Sequence, residues 1–178
     1  MRTKSKTQGS YIDESDSSIF TQEIYVIQNS IIYSLDVKNE IAEVIGIKDA
    51  NGEIFIPYSI ICLKKRFIVT SILQNSFKNS QTIRSINFPD NSKLKTIEKE
   101  SFANSTIESL TLPSNVSVLN DEWCSNTPKL SKIRILPRNN FFIYLDEKII
   151  LGKSNKDSND YNVLVFVNRD AENVSIPS

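Results

Sequence analysis

One short apolar block recurs at nearly constant spacing between residues 83 and 137, and this recurrence constrains the fold more than any other feature of the sequence. The block reads Ile86-x-Phe88-Pro89, then Leu110-x-Leu112-Pro113 after 24 residues, then Ile133-x-Ile135 after a further 23. Within each block the side chains alternate between inward and outward, as in a half-buried strand. A unit of this length is too small to bury its own apolar side, so it acquires a core only when the next unit stacks on it. The fixed period therefore predicts a solenoid.

Each unit also contains a second apolar segment and a recurring turn. The second segment reads Leu94-x-x-Ile97 in one unit and Val116-x-x-Leu119 in the next. Phe102 and Cys124 each stand five positions after the end of their segment, and Phe77 stands five positions after Ile72 in the unit before. An asparagine follows two positions later each time, at Asn79, Asn104 and Asn126. Because stacked coils bury turn backbone, we expect these three amides to hydrogen-bond that backbone.

Taken together, the pattern Leu-x-x-Ile-x-[Ile/Leu]-Pro, Val-x-x-Leu and Phe-x-Asn resembles the leucine-rich repeats of the BspA-like surface-antigen family, the Treponema pallidum type of repeat. Other segments, among them IIYSLDVKNEIAEVIG and LGKSNKDSNDYNVLVFVNRD, resemble the variant that is abundant in Trichomonas. The resemblance covers roughly residues 24 to 178. It departs from the family pattern where Cys124 replaces the usual Phe and where Leu136 adds a residue before Pro137. It implies a right-handed leucine-rich-repeat solenoid, surface exposure and, for some members, adhesion or host-protein binding, and it carries over no catalytic residue.

The predicted fold class is mainly β: a right-handed leucine-rich-repeat solenoid with units of about 23–25 residues, an N-terminal β-hairpin cap and one β-hairpin insertion. A disordered leader is expected over residues 1–20, followed by one domain over residues 21–178. Within that domain we expect a β cap over 21–57, repeats over 58–137, a β insertion over 138–172 and the start of a further repeat over 173–178. A chain of this length can bury one sizeable core.

The cap is expected to contain two hairpins. The first joins Ile24–Ile27 to Ile31–Leu35, and the second joins Ile41–Ile47 to Glu53–Ile56 around an Asn-Gly turn. Ile54-x-Ile56-Pro57 also matches the repeat block, which makes it a degenerate first repeat strand. The cap would shield the apolar end of the first coil.

The insertion is expected to interrupt the repeats after Pro137. Phe141–Leu145 and Lys148–Leu151 form its hairpin around the turn Asp146-Glu147, and Tyr161–Val167 adds another strand. Val174-x-Ile176-Pro177 then restores the repeat block without a following coil. We therefore expect either a fragment of a longer solenoid or self-association through this open C-terminal repeat.

The composition argues against several classes of function. Lys plus Arg equals Asp plus Glu at 21 each, so no net charge attracts nucleic acid. Histidine is absent, which removes the commonest metal ligand and the usual general base near neutral pH. The four glycines cannot assemble a phosphate-binding loop. The sequence predicts no enzyme, no cofactor and no metal site.

The compartment is not determined by the sequence. Cys62 and Cys124 lie far apart and Cys124 has an inward repeat position, so we interpret it as a small buried thiol rather than as half of a disulfide. No run of about 18 apolar residues and no signal-peptide pattern occurs, so we expect no membrane span in this chain. The resemblance alone points to the cell surface.

The leading hypothesis for function is a non-enzymatic module that presents its stacked strands to a protein or glycan partner in cell-surface adhesion. The candidate partner-binding residues are those that alternation turns outward: Asn87, Thr111, Trp123 and Arg134. Trp123 could act as an aromatic anchor or could equally cover a neighbouring turn. The alternative is an intracellular structural scaffold, which the missing signal and membrane segments favour.

Overall fold

The computed structural model describes residues 24–173, and in that range it consists of strands, turns and loops. The strands are β1 (Ile24–Gln28), β2 (Ile31–Asp36), β3 (Ile41–Ile47), β4 (Gly52–Phe55), β5 (Ser59–Cys62), β6 (Lys65–Ile72), β7 (Ile83–Asn87), β8 (Thr96–Ile97), β9 (Ser109–Leu112), β10 (Val118–Leu119), β11 (Lys132–Ile135), β12 (Phe142–Leu145), β13 (Ile149–Lys153) and β14 (Tyr161–Val167). The predicted leader and the repeat block at residues 174–177, with the self-association expected there, lie outside the described residues.

The strands form three sheets. The face sheet has the order β11-β9-β7-β4. The side sheet has the order β1-β2-β3-β6-β8-β10, with β5 paired to β6, and the insertion sheet has the order β12-β13-β14. Because consecutive coils contribute neighbouring strands to the face sheet and to most of the side sheet, the molecule is a β-solenoid.

The face sheet is parallel throughout and contains the repeat block of each coil. Ile86 lies opposite Ile54, Leu110 opposite Ile86, and Ile133 opposite Leu110. All four side chains are buried, because each fills the space above its equivalent in the coil before. The repeat prediction is confirmed, and the degenerate strand at residues 54–56 is indeed the first strand of this stack.

The first hairpin predicted for the cap is present, but the prediction of a second hairpin is wrong. Asn29 and Ser30 have φ values of 51° and 64°, which gives β1 and β2 a tight turn that matches strand twist. In contrast, β3 pairs with β2 and β6, whereas β4 joins the face sheet. The Asn-Gly segment therefore turns the chain around a corner of the first coil. The inward Ile54 and Ile56 lie in the solenoid core, which a hairpin with β3 would not supply.

An additional hairpin extends the first coil. β5 and β6 pair in an antiparallel manner around Leu63 and Lys64, which have φ values of 50° and 63°. Lys64 and Lys65 lie exposed at this turn. The hairpin accounts for the longer separation between the first repeat block and the second.

The recurring asparagines adopt the left-handed backbone conformation of the turns, whereas side-chain hydrogen bonds to the turn backbone were predicted. Asn79, Asn104 and Asn126 are exposed and have φ values of 61°, 58° and 50°. Asparagine tolerates this left-handed conformation better than most residues do. Only one side-chain contact links them, from the Asn126 Nδ2 to the Asn104 Oδ1 at 2.7 Å. The prediction that their amides satisfy buried turn backbone is therefore wrong.

A column of aromatic rings runs along the stack. The Phe77 and Phe102 rings stack with centroids 5.2 Å apart, Phe102 meets Trp123 edge-on at 6.1 Å, and Trp123 meets Phe166 at 6.3 Å. Because Phe166 belongs to β14, the column continues from the coils into the insertion sheet. The prediction that Trp123 points outward is wrong, since this side chain is only 4% exposed.

Two physical reasons explain the burial of Trp123. Residues 121–126 form successive turns, so the in-out alternation of a strand does not apply to them. Backbone bonding also shows that Trp123 takes the place of Ser101 in the preceding coil: the Phe102 amide donates to the Trp123 carbonyl as the Phe77 amide donates to that of Ser101. Cys124 then stands where earlier coils have Phe, and the indole fills the volume that this small side chain leaves.

The insertion forms a three-stranded antiparallel sheet at the last coil, where a hairpin followed by a further strand was expected. Its turn residues Asp146 and Glu147 have φ values of 50° and 57°, and the last pair across the turn is Leu145 with Ile149. Phe142, Ile150 and Phe166 belong to the same hydrophobic core as the coils. The insertion sheet therefore packs on the apolar side of the last coil that the structure describes.

Trp123→Ala is expected to lower the free energy of unfolding by about 3–5 kcal/mol, because it empties the centre of the aromatic column. Phe55→Ala is the matched control, since that aromatic side chain is 54% exposed and should change stability by less than about 1 kcal/mol. Urea unfolding followed by far-ultraviolet circular dichroism measures both. Equal effects of the two substitutions would contradict the buried position of Trp123.

The two cysteines should differ sharply in reactivity. Both are free, and burial raises the pKa of the Cys124 thiol to about 11, although nearby Arg169 partly offsets this. Cys62 is only half-buried. In the native protein at pH 8 we expect Ellman's reagent to label Cys62 first and Cys124 only after urea is added. Because the unfolded thiol ionises near pH 9.0 and the folded one near 11, this group should also lower stability between those pH values. Simultaneous labelling of both thiols would contradict the buried site.

Candidate functional site

The outer side of the face sheet presents two rows of side chains, each running across all four strands. The first row, here called the serine row, contains Glu53, Ser85, Ser109 and Lys132. The second, the asparagine row, contains Phe55, Asn87, Thr111 and Arg134. Three of the four residues predicted from the sequence, Asn87, Thr111 and Arg134, thus lie side by side, whereas Trp123 lies in the core.

Two hydrogen bonds fix the central side chains of the asparagine row, one within the row and one to Glu53 of the serine row. The Thr111 Oγ1 donates to the Asn87 Oδ1 at 3.0 Å, and the Asn87 Nδ2 donates to the Glu53 Oε1 at 2.5 Å. Thr111 is only 3% exposed, although it lies on the outer side of the sheet as alternation predicts. The amide of Asn87 is therefore held in one orientation by neighbours on both sides.

The insertion sheet stands beside these rows and forms the wall of a cleft of about 640 Å³. Tyr144 of β12, Glu147 of the hairpin turn and Asn168 after β14 line the wall. The floor is formed by residues of successive coils: Asn87, Ser109, Leu110, Thr111, Ser131, Lys132, Ile133 and Arg134. The cleft joins both rows to the insertion in one concave surface.

The wall residues were not predicted from the sequence. A signal for one of them was available, because Tyr144 stands two positions after the apolar Phe142 and so shares its face of β12. The surface on which that face packs could not be predicted from the sequence, since it depends on contacts between the insertion and the last coil.

Tyr144 also satisfies the free edge of the face sheet. The amides of Lys132 and Leu136 donate to carbonyls of the preceding coil, so by alternation the polar groups of Ile133 point to the unpaired side of β11. The Tyr144 hydroxyl donates to the Ile133 carbonyl. Burial raises the pKa of Tyr144, so the hydroxyl keeps the proton that it donates. One acceptor of the edge strand is thereby closed to strand addition.

Two cations stand together at this end of the floor. Lys132 and Arg134 are two positions apart on β11, so both project to the outer side with Cα atoms roughly 7 Å apart. Both are exposed, and within residues 24–173 neither forms an ion pair. By contrast, Arg84 pairs with Glu108 of the next coil at 2.6 Å. The cleft therefore contains two cations outside any salt bridge within residues 24–173 and one carboxylate, that of Glu147.

Neither a metal-binding cluster nor a membrane-spanning helix occurs in the part of the chain that the structure describes. No group of three or more Cys, Asp or Glu residues there has the geometry to hold a metal ion. The same part of the chain contains no helix with the length and apolarity needed to cross a bilayer.

Comparison with protein families assigns the repeats. The sequence profile described as BspA type leucine rich repeat region matches residues 54–149 in six copies, which is more than half of the chain. The chain belongs to the BspA-type leucine-rich repeat family. The resemblance noted from the repeat blocks is thereby confirmed, and leucine-rich repeats are in general a non-enzymatic interaction fold.

Three solved structures are similar to this BspA-type chain at low sequence identity. A leucine-rich repeat protein from Bacteroides ovatus is 16% identical, with a TM-score of 0.38 over 61% of this chain and 40% of that one. The pneumococcal vaccine antigen PcpA is 17% identical, with a TM-score of 0.34 over 74% and 54% of the two chains. A leucine rich cell surface protein from Faecalibacterium prausnitzii is 12% identical, with a TM-score of 0.31 over 74% and 59%. The chain thus covers less than two thirds of each of these proteins. None of the curated proteins matches the sequence.

Tyr144→Phe is expected to lower the free energy of unfolding by about 1 kcal/mol, because the Ile133 carbonyl loses its donor while the ring remains in place. The control is Tyr25→Phe, which removes a hydroxyl from an exposed ring that has no hydrogen-bond partner within residues 24–173. Urea unfolding of both variants measures the difference. The same stability in both variants would contradict a role for Tyr144 in closing the sheet edge.

Proposed function

We propose that this BspA-type chain is a non-enzymatic binding module that takes its partner in the cleft between the face sheet and the insertion sheet. The observation that carries the proposal is the cleft itself, which gathers polar side chains of several coils and of the insertion around one concave space. Specific binding sites in proteins are concave and contain a small number of well-placed polar groups.

The floor of the cleft is suited to recognition because it is rigid. Its side chains stand on paired strands, and those of Thr111 and Asn87 are already fixed by hydrogen bonds before any partner arrives. Groups that are ordered in advance lose little conformational entropy when they bind. Binding of a partner therefore loses less conformational entropy on this surface than on a flexible loop.

Cell-surface adhesion is the biological setting that we propose for this binding. It rests on the resemblance to BspA-like surface antigens, some of which adhere to host proteins, and the partner class is protein or glycan. The cleft supports recognition of a partner, while the surface location comes from the family.

Ser109→Tyr is expected to weaken capture of a partner by about tenfold or more, because the added ring occupies the cleft floor. Ser85→Tyr is the matched control: it changes the same residue type one coil earlier in the serine row, at a position that does not line the cleft. The measurement is retention of wild type and both variants on a panel of immobilised extracellular-matrix proteins and oligosaccharides. Circular dichroism of both variants checks that they fold.

Binding that Ser85→Tyr preserves and Ser109→Tyr removes would support the cleft as the binding site. Equal retention of both variants on every panel member that captures wild type would place the binding surface elsewhere and overturn the proposal.

A further inference from the structure

The charges of the cleft are arranged for an anionic group at one end. Lys132 and Arg134 lie on the same side of β11 and have no carboxylate partner among the described residues. A guanidinium beside an ammonium can hold a carboxylate or a sulfate with several charge-assisted hydrogen bonds. This end of the floor therefore selects a ligand with at least one such group.

The remaining polar groups of the cleft match hydroxyls better than further anions. Ser109, Ser131 and Asn168 can each donate and accept hydrogen bonds, whereas the carboxylate of Glu147 can only accept. A purely anionic ligand has no donor to offer Glu147, but a sugar hydroxyl donates to a carboxylate and accepts from an amide. The cleft thus combines a cationic end with a hydroxyl-binding remainder.

A peptide fits this cleft less well than a carbohydrate does. The Tyr144 hydroxyl already occupies the Ile133 carbonyl, so an extended peptide cannot use that acceptor to add a strand to β11. The side chains of Leu110 and Ile133 are only 2% and 6% exposed, so these two residues offer a peptide anchor little apolar surface. Among residues 24–173, Tyr144 is the one aromatic side chain that lines the cleft.

From these three observations, and resting on the cleft as the binding site proposed above, we propose that the ligand is an acidic carbohydrate. It is a chain of hexose units that carries carboxylate or sulfate groups. One anionic group lies over Lys132 and Arg134, and the hydroxyls of the same or the next sugar bond Ser109 and Glu147.

The test is isothermal titration of the whole chain with three octasaccharides. Hyaluronan carries carboxylates, heparin carries sulfates as well, and maltooctaose is neutral, so the arms separate the two sources of negative charge from the sugar itself. We expect at least one acidic octasaccharide to bind about tenfold or more tightly than maltooctaose. Hyaluronan binding assigns the cations to a carboxylate, and binding of heparin alone assigns them to sulfate.

Two double variants make the titration specific. Lys132→Gln/Arg134→Gln is expected to weaken binding of the acidic octasaccharide by about tenfold or more, since each cation makes charge-assisted hydrogen bonds to it. Lys64→Gln/Lys65→Gln removes two exposed cations from the β5–β6 turn and should leave the affinity within about twofold. Equal losses in both variants would show general charge attraction and would overturn the assignment.

Two further outcomes would also overturn it. An oligoglutamate of the same length that binds as tightly as the acidic octasaccharides would show that the ligand is a peptide. Failure of all three octasaccharides, while Ser109→Tyr still abolishes capture on the protein panel, would refute the acidic carbohydrate and leave the cleft standing as a binding site. If the octasaccharides fail and Ser109→Tyr and Ser85→Tyr are retained equally, both the acidic carbohydrate and the cleft as the binding site would be refuted.

Discussion

Burial of one coil's apolar side chains by the next coil is the interaction on which the rest of this structure depends. Ile54, Ile86, Leu110 and Ile133 stack in register through the face sheet, and none of them would be covered without its neighbour. Because the strands must remain in register for this packing, their outward residues are aligned as well. The two rows on the outer side of the face sheet therefore follow from the packing of the core.

Within residues 24–173 the insertion sheet packs on the last described coil, and this contact determines the cleft. The last described coil has Cys124 where its predecessors have Phe, Trp123 takes the next place in the aromatic column, and Phe166 of the insertion sheet packs on the indole. This contact anchors the insertion sheet, whose Tyr144 then reaches the edge of the face sheet. Closure of the core and formation of the cleft wall are thus achieved by the same three strands.

The period of the repeat predicted the core and placed Asn87, Thr111 and Arg134 in one row, because a fixed spacing determines both the stacking and the alternation. It could not place Trp123, since alternation holds in strands and this residue lies in a turn. Nor could an Asn-Gly turn reveal whether the chain reverses within one sheet or rounds a corner into another. Tyr144 of the cleft wall depends on where the insertion packs, which is a tertiary contact without a local signal.

Quenching of the native fluorescence by acrylamide tests most directly whether the coils and the insertion sheet share one core. Trp123 is the only tryptophan, so the emission reports on this single contact without any mutation. The indole between Phe102 and Phe166 should emit as in an apolar medium and should be quenched far less than in urea-unfolded protein. Quenching of the native protein as strong as that of the unfolded chain would mean that the insertion does not cover the last coil, and the cleft would then lack its wall.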